Sequence, residues 1–168
     1  MNWKIRKATL TDANAIWTLL QIAIARRKAD GSQQWQNGYP NPKSVENDIK
    51  NGFAYVMTRD DEIIGTAALI INDEPTYENI DGAWLSDEDF MVVHRVSVSD
   101  KVLGKGIATK FFELMEGVAL EQQIFNIKID TNFDNLAMLR ILEKLNYVYC
   151  GEIQVQDGKR KAFQKVLK

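Results

Sequence analysis

The chain is poor in cysteine, histidine and proline, with one, one and three of them in 168 residues. A single cysteine closes no intramolecular disulfide. Cys150 also lies between Tyr149 and Gly151, without the spaced Cys and His partners of a metal or thiol-protease site, so no metal is expected. It reads as an inert, partly buried small hydrophobe. An excess of positive charge is missing too: 21 Lys and Arg stand against 23 Asp and Glu, for a net charge of -2. Such a chain has no general attraction to a phosphate backbone, and nucleic acid is not an expected partner, although a local basic patch is compatible with the balance. No stretch approaches the ~20 apolar residues of a membrane helix. The start, Met1-Asn2-Trp3-Lys4-Ile5-Arg6-Lys7, lacks the apolar core of a signal peptide. The expectation is a soluble, cytoplasmic protein with no membrane partner.

What is present is a globular composition, 45% apolar, in a length that suits one domain over residues 1–168. Trp3, Ile5 and Ala8 alternate with charged residues as a short strand. Thr11 is positioned to cap a helix in which Ile16, Leu19, Leu20, Ala23 and Ile24 recur at helical spacing up to Arg26-Arg27-Lys28. A polar, aromatic loop from Ser32 to Pro42 follows, then a short helix through Val45 and Ile49. The segments 53–58 and 63–71 read as an antiparallel hairpin joined across Asp60-Asp61-Glu62. Residues 72–89 are polar and irregular, and so long a loop tends to be functional or mobile.

In the second half, Phe90 to Val98 is a valine-rich strand. A helix then places Ile107, Phe111, Leu114, Met115 and Val118 on one side. Phe125 to Ile129 is another strand, and a helix from Asn135 to Leu145 carries leucines at intervals of three. Segments 147–150 and 162–167 close the fold around an Asp157-Gly158 turn. The fold class is α/β, with a parallel β-α-β crossover inside a mixed sheet.

Between the valine-rich strand and its helix lie Gly104 and Gly106. Glycine there allows backbone angles and close approaches that a Cβ forbids. Successive N–H groups of such a turn, with the helix N-terminus, can converge on a phosphate. Lys101, Lys105 and Lys110 would add attraction. Glycine pairs also occur where a helix merely packs tightly on a strand, so position rather than the pair itself favours anion binding. A Walker loop is excluded, because no Gly-x-x-x-x-Gly-Lys-Ser/Thr run exists. A dinucleotide fingerprint is poorly matched: Thr109 stands where a third glycine belongs, although Asp130 ends the next strand.

The run Lys101-Val102-Leu103-Gly104-Lys105-Gly106 resembles the Arg/Gln-x-x-Gly-x-Gly/Ala signature of the GCN5-related N-acetyltransferase (GNAT) superfamily, with a lysine at its first place. Asn135 to Tyr147 is similar to that family's Asn-x-x-Ala-x-x-Leu-Tyr-Glu-Lys-x-Gly-Phe pattern. Asn135, Glu143 and Lys144 match, while Met138, Ile141, Leu142, Asn146 and Tyr147 depart from it. The resemblance implies a mixed, mostly antiparallel sheet with splayed central parallel strands, flanked by helices. It also implies acetyl-CoA as co-substrate: its arm adds to the strand at Val96, Ser97 and Val98, and its pyrophosphate sits on Leu103, Gly104, Lys105, Gly106, Ile107 and Ala108 beside Lys101. Asn135 would bond the arm, or would only cap its helix.

Acetyl transfer needs a neutral amine beside the thioester, donors for the oxyanion and a proton for the departing thiolate. Many relatives of this kind supply that proton from a tyrosine at the place Leu142 holds. Tyr147 or Tyr149 is the candidate substitute, or water or a backbone group assists. His94, the one histidine, is the candidate base or substrate contact, or a satisfied structural imidazole. Strand parity groups it with Val92, Val96 and Val98, opposite Arg95 and Ser97. Asp130, Glu78, Asp81 and Asp89 are alternative acceptors through water.

Gln33-Gln34-Trp35 with Tyr39, and Glu78 to Trp84, combine aromatic faces with acceptors. A small-molecule or peptide amine could rest there, or Trp35 and Trp84 simply pack. The expected activity is N-acetylation of a primary amine. A non-catalytic acyl-CoA-binding or regulatory module and a protein-interaction domain are the rival readings. Exposed edges on the closing strands would be covered in a homodimer.

Overall fold

The structure, a computed structural model, describes residues 2–168. Its eight strands form one mixed sheet in the order β1-β2-β3-β5-β6-β8-β7-β4. They are β1 (Trp3–Lys7), β2 (Ala54–Arg59), β3 (Glu62–Ile71), β4 (Asp81–Gly82), β5 (Met91–Val98), β6 (Asn126–Thr131), β7 (Val148–Val155) and β8 (Gly158–Val166). The helices are α1 (Ala13–Ala29), α2 (Pro42–Lys50), α3 (Ile107–Glu121) and α4 (Leu136–Lys144). β1 and β2, β2 and β3, β4 and β7, β6 and β8, and β7 and β8 pair antiparallel, while β5 and β6 run parallel with Met91 opposite Ile127 and Val92 opposite Lys128. This is the mixed, mostly antiparallel α/β sheet expected.

Packing divides the chain into two compact units, Met1–Leu69 with Arg95–Met115, and Ile70–His94 with Glu116–Lys168. In the first, α1 and α2 bury Ile16, Leu20, Val45 and Ile49 against Ala54 and Val56, with Trp35 packed on the same cluster. The start of α1 differs from the sequence reading. Thr9, not Thr11, leads a capping box: its N–H donates to the Asp12 carboxylate at 2.8 Å, and a 3-10 turn over Leu10–Asp12 precedes α1. Arg6 donates to both Asp12 oxygens, at 2.8 and 3.1 Å, and these bonds hold that carboxyl down at about 2. α2 begins as expected, with Asn41 accepting from the Ser44 N–H ahead of Pro42. The β2–β3 hairpin turns on Asp60 and Asp61, both left-handed at φ 49° and 70°, the angles a two-residue primed turn demands.

In the second unit the segment expected to be irregular is only partly so. It holds a 3-10 helix over Pro75–Asn79 and the two residues of β4, which pair with Gly151 and Glu152 of β7. Polar side chains tie this segment to one side of the sheet. Asn126 accepts from Ser86 at 3.2 Å and from Gln164 at 2.9 Å, and Gln164 accepts from the Leu85 N–H at 2.8 Å. Lys128 is only 4% exposed, and its ammonium lies 3.9 Å from the Phe90 ring centre and 4.4 Å from that of Trp84. β7 and β8 extend well beyond the short segments read from the sequence, because they pair along Val148–Val155 around the Asp157-Gly158 turn.

Candidate functional site

The glycine turn lies in the first unit. β5 ends at Val98, a 3-10 turn covers Asp100–Val102, and α3 starts at Ile107. Val102 is buried and anchors the turn, while Leu103 to Gly106 are exposed. Gly104 and Gly106 both have φ of +73°, a conformation that costs an L-residue about 1–2 kcal/mol. A Cβ built on either meets no protein atom within 4 Å, so tight packing does not explain the glycines. Among the described residues the N–H groups of Gly104 to Thr109 make no hydrogen bond, and the first helical bond is from Lys110 to the Gly106 carbonyl at 3.1 Å. Unpaired donors at a helix start, with its positive dipole end, form an arrangement suited to an anion. Lys101 is less available than its charge suggests, since its Nζ is 3.0 Å from Glu62.

Arg95, which precedes the expected cofactor-arm residues Val96, Ser97 and Val98, has φ of +52°. The alternation that grouped His94 with Val96 and Val98 is therefore interrupted at this residue. The Arg95 guanidinium grips Asp48 of α2 at 2.7 and 2.8 Å and also donates to the Tyr39 hydroxyl. Ser97 donates to the Leu19 carbonyl at 3.0 Å, so its side chain serves α1 and leaves only its backbone for another partner. The Gln/Trp loop is stapled to the same unit: Gln36 donates to the Ile24 carbonyl at 3.0 Å, and Arg27 to Gln34 at 3.1 Å.

The second unit gathers titratable side chains. His94 Nε2 is 2.5 Å from Glu74 Oε1, with both side chains 19% exposed. Glu74 also accepts from the Thr76 N–H at 3.3 Å and hydroxyl at 2.8 Å. The bond from His94, helped by Thr76 and opposed by desolvation, holds the Glu74 carboxyl down at about 2. The buried Tyr77 hydroxyl donates to Asp130 at 2.6 Å, and its ring is centred 6.3 Å from the His94 ring and 5.0 Å from that of Trp84. Trp84 donates to the Tyr77 carbonyl at 2.9 Å and packs on the Tyr77, Val92 and Ile153 cluster, the packing role weighed for it from sequence. Sequence reasoning named His94 and Asp130 but missed Glu74 and Tyr77. The signal for Glu74 was a carboxylate directly before Pro75, a helix-start pattern.

The family model for the acetyltransferase (GNAT) family matches residues 19–147. This chain belongs to the GNAT family. A GNAT-family acetyltransferase structure from Streptococcus agalactiae is similar over 99% of this chain and 96% of that one, with 35% identity and a TM-score of 0.91. One from Listeria monocytogenes is 19% identical over 98% and 95%, with a TM-score of 0.77. An aminoglycoside acetyltransferase in complex with coenzyme A is 18% identical over 98% and 95%, with a TM-score of 0.71. The last two show the shared fold. A comparison with curated proteins found no match.

Other residues singled out from the GNAT resemblance lie in the second unit. Asn135 caps α4, accepting from the Met138 N–H at 3.2 Å, which is the helix-capping alternative. Leu142, at the place of the usual GNAT tyrosine, is fully buried. Tyr147 is 6% exposed, and its hydroxyl donates to Glu116 at 3.1 Å. Burial and the Glu116 carboxylate push that phenol well above its usual range. Tyr149 is 51% exposed and packs edge-on against Phe163. With Leu139, Glu143, Lys161 and others, these two tyrosines line a shallow recess of about 540 Å³. Cys150 is free and buried, as read. Among the described residues no cluster could hold a metal ion, and no helix is long and apolar enough to cross a membrane.

Proposed function

We propose that this GNAT protein transfers the acetyl group of acetyl-CoA to a primary amine of a small molecule or peptide. The observation that carries the reading is the run of unbonded N–H groups from Gly104 to Thr109 on a left-handed, exposed turn at the start of α3. A pyrophosphate is the ligand that uses several such donors together. Lys105, exposed within the turn, adds a positive charge, and the backbone of Val96 to Val98 would take the amide-bearing arm as an added strand. The chemistry asks little of the protein beyond placing a neutral amine against an activated thioester and stabilising its oxyanion.

The test is release of free thiol from acetyl-CoA over a panel of amines that spans polyamines, amino acids, aminoglycosides and peptide N-termini. Turnover of one class above the background hydrolysis rate supports the reading. Acetyl-CoA binding in calorimetry without turnover of any amine supports the rival, a non-catalytic acyl-CoA-binding module, which Leu142 favours. No binding of acetyl-CoA defeats both.

A further inference from the structure

The His94 cluster holds an orientation that the transfer reaction can use. His94 bonds through Nε2 to a carboxylate that is itself fixed by two bonds from Thr76. Glu74 is an acceptor only, so Nε2 carries the hydrogen, and the neutral ring then has its lone pair on Nδ1. Among the described residues Nδ1 has no hydrogen-bond partner. An imidazole with one nitrogen tethered to an anion and the other open is the arrangement that accepts a proton well, because the carboxylate stabilises the imidazolium that forms.

Its position suits the role. β5 and β6 are paired at Val92 and Lys128, and His94 and Asp130 each lie two residues further along their strands. His94 also directly precedes Arg95 and Val96, where the cofactor arm is expected. The groups facing it are Glu74 and Tyr77 from the 72–90 segment and Asp130 from β6 through Tyr77, while neighbouring Arg95 is spent on Asp48 and Tyr39. The Glu74 carboxylate on the imidazole places a negative charge here that favours a cationic amine.

We propose that His94 Nδ1 takes the proton from the incoming ammonium and that Glu74 is the positioning residue that fixes the imidazole in the tautomer able to do so. This rests on the acetyltransferase reading. The ammonium gives one proton to Nδ1, and its freed lone pair attacks the thioester carbonyl to form the C–N bond. As the tetrahedral adduct collapses, the C–S bond breaks, the nitrogen loses a second proton to the thiolate, and the amide keeps the third. The imidazolium returns its proton to solvent.

Because His94 is the only histidine, nitrogen NMR of uniformly labelled protein reads its tautomer without assignment, and this needs no turnover. The wild type's neutral ring should show Nε2 protonated and Nδ1 bare, and Glu74→Gln should mix the tautomers. A wild-type ring protonated on Nδ1 would overturn the proposal. In thiol release with a panel amine, His94→Gln should lower kcat by about a hundredfold. Glu74→Gln should lower it by about tenfold, with recovery in Glu74→Asp. Unchanged kcat in both variants, with folding verified by thermal unfolding, would also overturn it. Failure of the wild type on every amine would instead count against the parent acetyltransferase reading and with it the proton-accepting role, leaving the tautomer result to decide whether Glu74 fixes the ring.

Discussion

In the first unit, Gly104 to Thr109 offers backbone N–H groups from consecutive residues; in the second, Glu74, Tyr77, His94 and Asp130 offer side chains whose bonded partners are up to 53 residues apart. The turn depends on backbone angle, so residue identity matters there through the missing Cβ. The cluster depends on which side chain meets which, so identity is everything and spacing in the chain means little. Donors for a ligand's phosphates can thus be encoded in six consecutive positions, whereas handling of a proton has to be assembled by the fold. Substitutions should separate the two: changes in the turn alter cofactor binding, and changes in the cluster alter turnover or stability at constant cofactor affinity.

The sharpest break comes from Gly106→Val. A β-branched residue at φ +73° is strained by about 1–2 kcal/mol, and the turn must flatten or lose donors. No protein atom lies within 4 Å of the new Cβ, so packing is not the cause. Each lost bond to a charged phosphate is worth about 1.5–3 kcal/mol, so the Kd for coenzyme A should rise by about tenfold to a hundredfold in calorimetry. Glu74→Gln should leave that Kd unchanged. An unaltered Kd in Gly106→Val would remove the phosphate-cradle argument.

Acid titration comes next, and it isolates the cluster. Glu74 is held at about 2 by the bond from His94, against about 4.3 in an unfolded chain. A depressed carboxyl contributes stability that is fully present above its unfolded value and is lost as pH falls through the folded one. Asp12, held at about 2 by Arg6, acts in the same direction in the first unit. Urea midpoints should therefore decline between about pH 5 and pH 2. The decline should be shallower in Glu74→Gln, which removes one of the two contributions. An identical slope in the variant would show that the His94–Glu74 bond is not made in solution.

How much of this was legible in the chain follows the same division. The glycine turn could be read because only glycine takes φ near +73° without strain, and the β2–β3 hairpin because Asp60 and Asp61 suit left-handed angles. The mixed α/β sheet followed from strand and helix periodicity together with the GNAT resemblance. The Thr9 cap was overlooked although Thr9-Leu10-Thr11-Asp12 carries the box spacing, because Thr11 stands closer to the apolar run. Arg95 gave no local hint of a positive φ, since arginine rarely adopts one; the bidentate Asp48 pair and Tyr39 fix it there through tertiary contacts. Glu74 and Tyr77 were hidden for a related reason, because their partners are 20 and 53 residues away.

A smaller effect is expected from Tyr77→Phe. The ring stays, but Asp130 loses a bond of 2.6 Å from a fully buried hydroxyl, at a cost of about 1 kcal/mol in urea unfolding. Turnover should fall less than in His94→Gln, because Tyr77 touches the carboxylate and not the proton acceptor. A loss of turnover equal to that of His94→Gln would make Tyr77 and Asp130 part of the proton path.

The smallest effect is expected from Tyr149→Phe, and it bears on the tyrosine that GNAT relatives carry where Leu142 stands. Tyr147 is a poor proton donor to a thiolate, since burial and Glu116 both hold its proton on and its hydroxyl is already committed. Tyr149 is half exposed, and its hydroxyl makes no hydrogen bond among the described residues, so removing it should change stability by less than about 0.5 kcal/mol. Its ring contact with Phe163 survives the substitution. If the thiolate takes its proton from the amine nitrogen as the adduct collapses, kcat in Tyr149→Phe should equal that of the wild type. A kcat lowered by about a hundredfold at unchanged stability would instead make Tyr149 the general acid and move the proton chemistry out of the His94 cluster.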